Sequence, residues 1–256
     1  MINNNQSPLE KLPQYGSLAV SDLDFSTTHH PLSTLERAMN YFEVSEEMIR
    51  QVITKALEYG GDYADLFFEH SSLNNIGLRD GEVNSCSSNI DYGVGIRVVS
   101  GDQTGYAYVE QVTLPDMLQA AEVAARIAQG TRKVTPVALK EQRIDKNFYS
   151  VYTAWDSITV KHKVPYLQRI NDQVFARDKR VVKVMASLSD TTSHILFCNS
   201  EGISYYDYRP MVSLSILCVM QDGKRMENGH ASRSYQKGFE FLSDDLIDEL
   251  TQEVVD

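Results

Sequence analysis

Six histidines and three cysteines have the widest chemical reach in this 256-residue chain, and their spacing withholds the usual uses. A zincin-type centre needs H-E-x-x-H, which sets two imidazoles one helical turn apart beside a glutamate that works on water. No such motif occurs, and no pair among His70, His162, His194 and His230 has helical ligand spacing, with one another or with a nearby cysteine. Each of the four is read as a surface or satisfied core histidine. His29-His30 lies in a polar segment and is read as a surface pair. Gly93-x-Gly95 lacks the third glycine of a dinucleotide fingerprint and falls mid-strand, so it marks close approach of another layer. There is no G-x-S-x-G and no P-loop. The residues alone therefore supply no catalytic set and no metal ligand set. The richest contact stretch is Tyr205-Tyr206-Asp207-Tyr208-Arg209-Pro210. Tyr205, Tyr206, Tyr208 and Arg209 are its candidates for partner or peptide contact, set against the plainer reading that strand tyrosines simply pack.

The elements that would position these residues show in the hydrophobic pattern. Ala64, Leu66 and Phe68 alternate with polar or aromatic neighbours, as on a strand buried on one face. Ile76 and Leu78 alternate next, and Asp80-Gly81 is a two-residue reversal of the kind hairpins prefer. Val94, Ile96 and Val98 share a face, Ser100-Gly101-Asp102 turns the chain, and Tyr106 and Tyr108 share a face of the strand Thr104–Val109. Four or five short strands joined by such tight turns predict an antiparallel meander. Upstream, Ser45 is a candidate N-cap for a helix whose stripe is Met48, Ile49, Val52, Ile53, Ala56 and Leu57, stopped at Gly60-Gly61. Downstream, Thr113 with Asp116 three residues on caps a helix lined by Leu118, Ala121, Ala125 and Ala128, ending at Gly130.

The second half repeats this order. Val164, Leu167, Ile170, Val174 and Phe175 have helical spacing around Pro165. Strand-like alternation follows at Val182, Val184, Ala186 and Leu188, at Ile195 and Phe197, over Ile203–Tyr208, and at Val212, Leu214, Ile216 and Cys218. Ser200-Glu201-Gly202 and Asp222-Gly223 take the places of the first half's turns, and Asp244 opens a helix carrying Leu246, Ile247, Leu250 and Val254. The expected fold class is α+β: largely antiparallel sheets with helices packed on one face, and an internal duplication of a helix–meander–helix unit. Residues 1–40 are expected to be a polar N-terminal extension, with a short helix docking through Leu35, Ala38, Met39 and Phe42. Residues 41–256 are expected to form one domain, with pseudo-repeats at about 45–130 and 160–256 joined by 131–159. That connection holds Phe148, Tyr149, Tyr152 and Trp155, and is expected to be packed down by them.

Composition bounds the function. The net charge of −11 and the scattered lysines and arginines argue against direct nucleic-acid binding, which needs clustered cations. No apolar run has the length of a membrane span, and the polar N-terminus lacks a signal-peptide core. Cys86, Cys198 and Cys218, with no C-x-x-C, fit reduced thiols in a cytoplasmic protein.

The segments D-Y-A-D-L-F-F-E (62–69), N-I-D-Y-G-V-G-I-R-V-V-S-G-D-Q-T-G-Y-A-Y (89–108), D-K-R-V-V-K-V-M-A-S-L-S (178–189), R-P-M-V (209–212) and Q-D-G-K-R (221–225) resemble, in order, the TldD/PmbA family, TldD more than TldE. The likeness runs from about residue 41 to the C-terminus. It implies metalloproteases, also labelled modulators of DNA gyrase, that act on peptides and unfolded proteins as TldD–TldE heterodimers. Their H-E-x-x-x-H, which holds a zinc-type metal and activates water, follows the region matched here. The chain ends at Asp256 before that motif, with no Gly or Asn helix cap in the last residues, so it is expected to be the N-terminal domain alone, carrying no cofactor and guiding substrate. The alternative is a free-standing module that captures extended peptides at a sheet edge.

Overall fold

The computed structural model describes residues 34–142 and 151–256. The polar N-terminal stretch with His29-His30, and Phe148 and Tyr149, lie outside them. The chain runs α1 (Thr34–Tyr41), α2 (Glu46–Ala56), β1 (Tyr63–Arg79), β2 (Glu82–Ser100), β3 (Gln103–Val109), α3 (Leu114–Ile127), β4 (Lys140–Glu141), α4 (Val160–Arg177), β5 (Val181–Asn199), β6 (Ile203–Asp222), β7 (Arg225–Tyr235) and α5 (Asp244–Glu253), with 3-10 turns at Trp155–Ser157 and Phe239–Phe241. One seven-stranded sheet joins both halves. Its order is β3-β2-β1-β5-β6, with β7 beside the second part of β6 and β4 parallel to its first two residues. All other pairings are antiparallel. The fold is α+β, as the alternation predicts.

Local chemistry explains the joints. Asp80 and Gly81 both take positive φ, 50° and 86°, the geometry of a two-residue hairpin whose twist matches its strands. Ser45 accepts from the Met48 N–H and Thr113 from the Asp116 N–H, so both expected caps are made. Ser243 caps α5 in the same way, accepting from Leu246.

Because antiparallel partners lie on the same face, even-numbered residues of β1, β2, β5 and β6 point to one side together. Two cores form there. The first packs α1, α2 and α3 on Ala64, Leu66, Phe68, Val94, Ile96, Val98, Leu196 and Cys198. The second packs α4 and α5 on Ile76, Leu78, Val184, Ala186, Leu188, Val212, Leu214, Ile216 and Cys218. Each fully buried Leu, Ile or Val contributes about 1.5–3 kcal/mol. Glycine permits the closest helix contacts. A Cβ on Gly105 of β3 would meet the Ala124 carbonyl oxygen of α3 at 1.9 Å, and one on Gly229 of β7 would meet that of Val254, just past α5, at 1.7 Å. The closing helix of each half thus rests on a glycine of its third strand.

Two expectations are corrected. The strands are long rather than short: β1, β2, β5 and β6 have 17, 19, 19 and 20 residues, each continuous where the apolar alternation breaks off. In β5 the core-facing pair is Leu196 and Cys198, while Ile195 and Phe197 take the opposite face. A register shift between Val181 and Lys183 also buries Val181 and leaves Val182 exposed. The short helix expected to dock through Leu35, Ala38, Met39 and Phe42 does so as α1: Ala38, Met39 and Phe42, with Tyr41, are buried in the first core and Leu35 packs against it.

Candidate functional site

Between the two cores the helix-covered face of the sheet turns polar. One row of directly paired residues crosses four strands: Tyr92 of β2, His70 of β1, His194 of β5 and Tyr208 of β6. The next rows along the strands hold Ser72 with Thr192, and Asn74 with Asp190. Strand alternation alone places all of these side chains on one face.

Two further elements close over the row. Tyr41, the last residue of α1, lays its ring 5.5 Å from His70 and 4.7 Å from His194, and its hydroxyl bonds His70 Nδ1. Asp156, in the Trp155–Ser157 turn, meets His194 Nε2 at 3.3 Å and accepts from the Thr192 hydroxyl at 2.5 Å. The neighbouring Tyr206 hydroxyl lies 2.6 Å from His194 Nδ1. An ionised Asp156 can only accept, so His194 carries its proton on Nε2, and in the neutral ring Nδ1 accepts from Tyr206. The Tyr208 hydroxyl is buried with no hydrogen-bond partner among the described residues.

Burial governs the electrostatics. It lifts Tyr41, Tyr206 and Tyr208 well above the ordinary phenol range and Tyr92 to about 12. Desolvation, and then the neighbouring His194, push His70 below the ordinary imidazole value. Burial would raise Asp156, but the bond and charge of His194 and the bond from Thr192 outweigh it and hold the carboxyl low. Beside this group, Lys163 of α4 bonds Asp190 at 2.5 Å, and both side chains are almost wholly buried. Asn74 donates to the other oxygen of Asp190 at 3.0 Å, and the Lys163 ammonium sits 5.2 Å from the Trp155 ring. Trp155 itself is buried and donates to the Lys237 carbonyl at 2.8 Å, so the long connection is anchored through it.

The contact candidates divide between the two faces. Tyr206 and Tyr208 join the covered seam, whereas Tyr205 stacks on Phe197 at 5.0 Å on the open face, and Arg209 bonds Asp207 at 2.6 Å. Half-buried His70 and buried His194 are both partnered in the seam, and His162 and His230 are exposed. Nothing in the sequence links the two seam histidines, because residues 124 positions apart meet only through the β1–β5 register. Tyr41 and Asp156 carry no signal of their own. On the open face the Tyr106 and Tyr108 rings lie over Gly95 and Gly93, so it is a tyrosine layer that comes close to those glycines. Among the described residues, no group of three or more His, Cys, Asp or Glu side chains is placed to hold a metal ion. The donor set does not fit a catalytic metal: His70 and His194 are 6.3 Å apart between ring centres, and Asp156 bonds only the latter. The arrangement is a seam of hydrogen-bonded phenols, imidazoles and one carboxylate under the cover of α1, its phenols kept neutral by burial.

The description PmbA/TldA metallopeptidase domain 1 matches residues 64–128, and PmbA/TldA metallopeptidase central domain matches residues 154–256. The chain belongs to the TldD/PmbA family. It is 34% identical over 183 residues to the metalloprotease TldD homolog of Haemophilus influenzae, covering 71% of this chain and 38% of that one. The metalloprotease TldD homolog of Buchnera aphidicola subsp. Schizaphis graminum is 27% identical over 233 residues, covering 87% and 48%. The chain thus spans less than half the length of these TldD relatives. Two solved structures share the fold at 15% identity. One is a Bacteroides thetaiotaomicron protein described as a modulator of DNA gyrase, with TM-score 0.64 over 82% of this chain and 49% of that one. The other is TldE from Thermococcus kodakarensis, with TM-score 0.62 over 81% and 46%. Among the described residues no helix is long and apolar enough to cross a membrane.

Proposed function

We propose that this chain is the N-terminal, non-catalytic, substrate-guiding part of a cytoplasmic TldD-like metallopeptidase that acts on peptides and unfolded proteins. In this reading a zinc-type ion is held by an H-E-x-x-x-H motif C-terminal to Asp256, and the whole enzyme pairs with a TldE/PmbA-like partner. The observation that carries it is the match, in order, to domain 1 and to the central domain of metallopeptidases whose relatives are twice as long. The metal supplies a Lewis acid and an activated water when bound in the whole enzyme. This chain's own contribution is surface. Its open sheet face, with Tyr205, Phe197, Tyr106 and Tyr108, can cover a cleft, admitting an extended chain and turning away a folded one.

The test compares the full-length parent enzyme with a version lacking residues 1–256. A short peptide and a folded protein are offered to both, and metal content is checked in each. The expected result is retained metal with lost selectivity for unfolded over folded substrate. Unchanged selectivity in a folded, metal-loaded truncation overturns the guiding role.

A second reading, a free-standing module that captures extended peptides, is favoured by one feature. Among the described residues β2 has no partner strand on its outer side from Glu82 to Gly93. Tight binding of a labelled unfolded peptide by this chain alone, from a gene with no metal motif after Asp256, would support it.

A further inference from the structure

The sheet leaves one stretch of backbone open. β2 pairs β3 only from Val94 onward, so among the described residues its positions 85–92 meet β1 on one side and no strand on the other. The register against β1 is unbroken there, its one irregularity lying beyond, towards the hairpin turn, and positions 85–91 are all exposed. Sheet edges are ordinarily guarded by charge, proline, a bulge or a covering element. β3 is guarded by α3, which lies against Gly105, while β7 carries Arg225, Glu227 and Arg233 and meets Val254, just past α5, at Gly229. Positions 85–90 of β2 hold no charge and no proline, and the β1 residues paired with them, 72–77, are uncharged too. Charge gathers at one end. Asp91, Glu69 and Glu110 all act on Tyr108, whose hydroxyl donates to the Tyr92 carbonyl at 2.8 Å, where the free edge begins. Among the described residues none of these three carboxylates is in an ion pair; Glu69 accepts from the Ser71 hydroxyl and Asp91 from the Asn89 amide. At the other end Glu82 stands opposite Arg79, so charge is balanced there.

We propose that residues 85–92 are a docking edge for an extended segment of another polypeptide, uncharged in its middle and carrying Lys or Arg at its N-terminal end. The proposal rests on the free edge that the second reading uses, adds the chemistry of what that edge takes, and holds whether or not the chain works alone. Backbone bonds along the edge hold the segment without regard to its sequence, and the charge at one end selects and orients it. Antiparallel addition continues the pattern of β1 and β2 and sets the segment's N-terminal residues beside Asp91. A second copy of this chain is the poorer occupant. Paired edges of two copies offer no cation to either Asp91, because positions 82–92 hold none, and each copy carries a net charge of −11.

The test offers the whole chain end-capped fluorescent peptides that share an alternating Thr-Val middle. One has a Lys-Lys pair at its N-terminal end, one has that pair at its C-terminal end, and one has Glu-Glu at its N-terminal end. Anisotropy titration at about 50 mM salt is expected to give the tightest binding for the first, by about threefold to twentyfold over the Glu-Glu peptide, and the gap to narrow at about 500 mM. Hydrogen exchange with the first peptide bound is expected to add protection at positions 85–92 and none in β7. Asp91→Asn, at an exposed position, narrows the gap while the added protection stays, and Glu110→Gln, exposed on a separate segment, does the same. Equal affinity for all the peptides, with protection gained at 85–92, overturns the charge selection and leaves the second reading standing; no binding of any peptide overturns both. Tightest binding of the peptide with C-terminal lysines overturns the antiparallel placing. A chain that is dimeric by sedimentation, with those amides protected before any peptide is added, gives the edge to a second copy and overturns the proposal.

Discussion

At the scale of single residues, Lys163–Asp190 is the sharpest commitment in the molecule. Both side chains are almost fully buried, so each charge relies on the other, and Asn74 donates to the carboxylate. Lys163→Met leaves the Asp190 charge without its partner and is expected to cost about 3–5 kcal/mol in urea unfolding. Lys163→Met with Asp190→Asn removes both charges and leaves an oxygen for Asn74, so it is expected to recover most of that loss. A double variant no more stable than the single one would show that the pair matters through packing alone. None of these partnerships could be read from the sequence. Lys163 sits on a helix whose pattern shows its apolar stripe and not a buried cation, and Asp190 falls in a polar stretch of β5.

At the scale of elements, what was legible and what was not follow one physical division. Helix caps, helix stripes and turns act over three or four residues, so Ser45, Thr113 and Asp80-Gly81 announce themselves. Strand lengths do not. The alternation fails at 70–75 in β1, at 189–194 in β5 and at 209–211 in β6, and these breaks lie where the strands pass between the cores, at the rows of His70, Thr192 and Asp190. The polar rows that hide the strands' continuity are therefore the candidate site itself. The contacts between helix and glycine are equally invisible, since a strand glycine gives no hint of which backbone approaches it. Gly105→Ala and Gly229→Ala each force a Cβ against a helix-side carbonyl oxygen and are expected to cost about 1–3 kcal/mol. Gly101→Ala meets nothing within 4 Å, and its φ of 54° leaves only a backbone cost of about 1–2 kcal/mol. Thermal melts of the three variants check the contrast. Equal Tm losses for Gly105→Ala and a control in an open strand position would remove the close-packing account.

At the scale of the whole molecule, the question is whether two similar halves make one folding unit or two. Each half runs helix, three-stranded meander, helix, and each has its own core. The first strands of the two meanders nevertheless pair along fifteen consecutive positions, from Asp65↔Asn199 to Arg79↔Met185. Each core also borrows from the other half: the first takes Leu196 and Cys198 of β5, and the second takes Ile76 and Leu78 of β1. Losing one half would strip the other of a strand partner and open apolar surface and backbone groups to water. One cooperative transition is therefore expected. Trp155, the single tryptophan, is packed in the second core and reports on it by fluorescence, while exchange protection of α3 reports on the first. Leu214→Ala, at a fully buried position of the second core, is expected to cost about 2–5 kcal/mol. Both probes should then move to lower urea together. A Trp155 transition that shifts while α3 keeps its wild-type midpoint would mean that the β1–β5 pairing does not couple the halves, and that the chain is two domains sharing an edge.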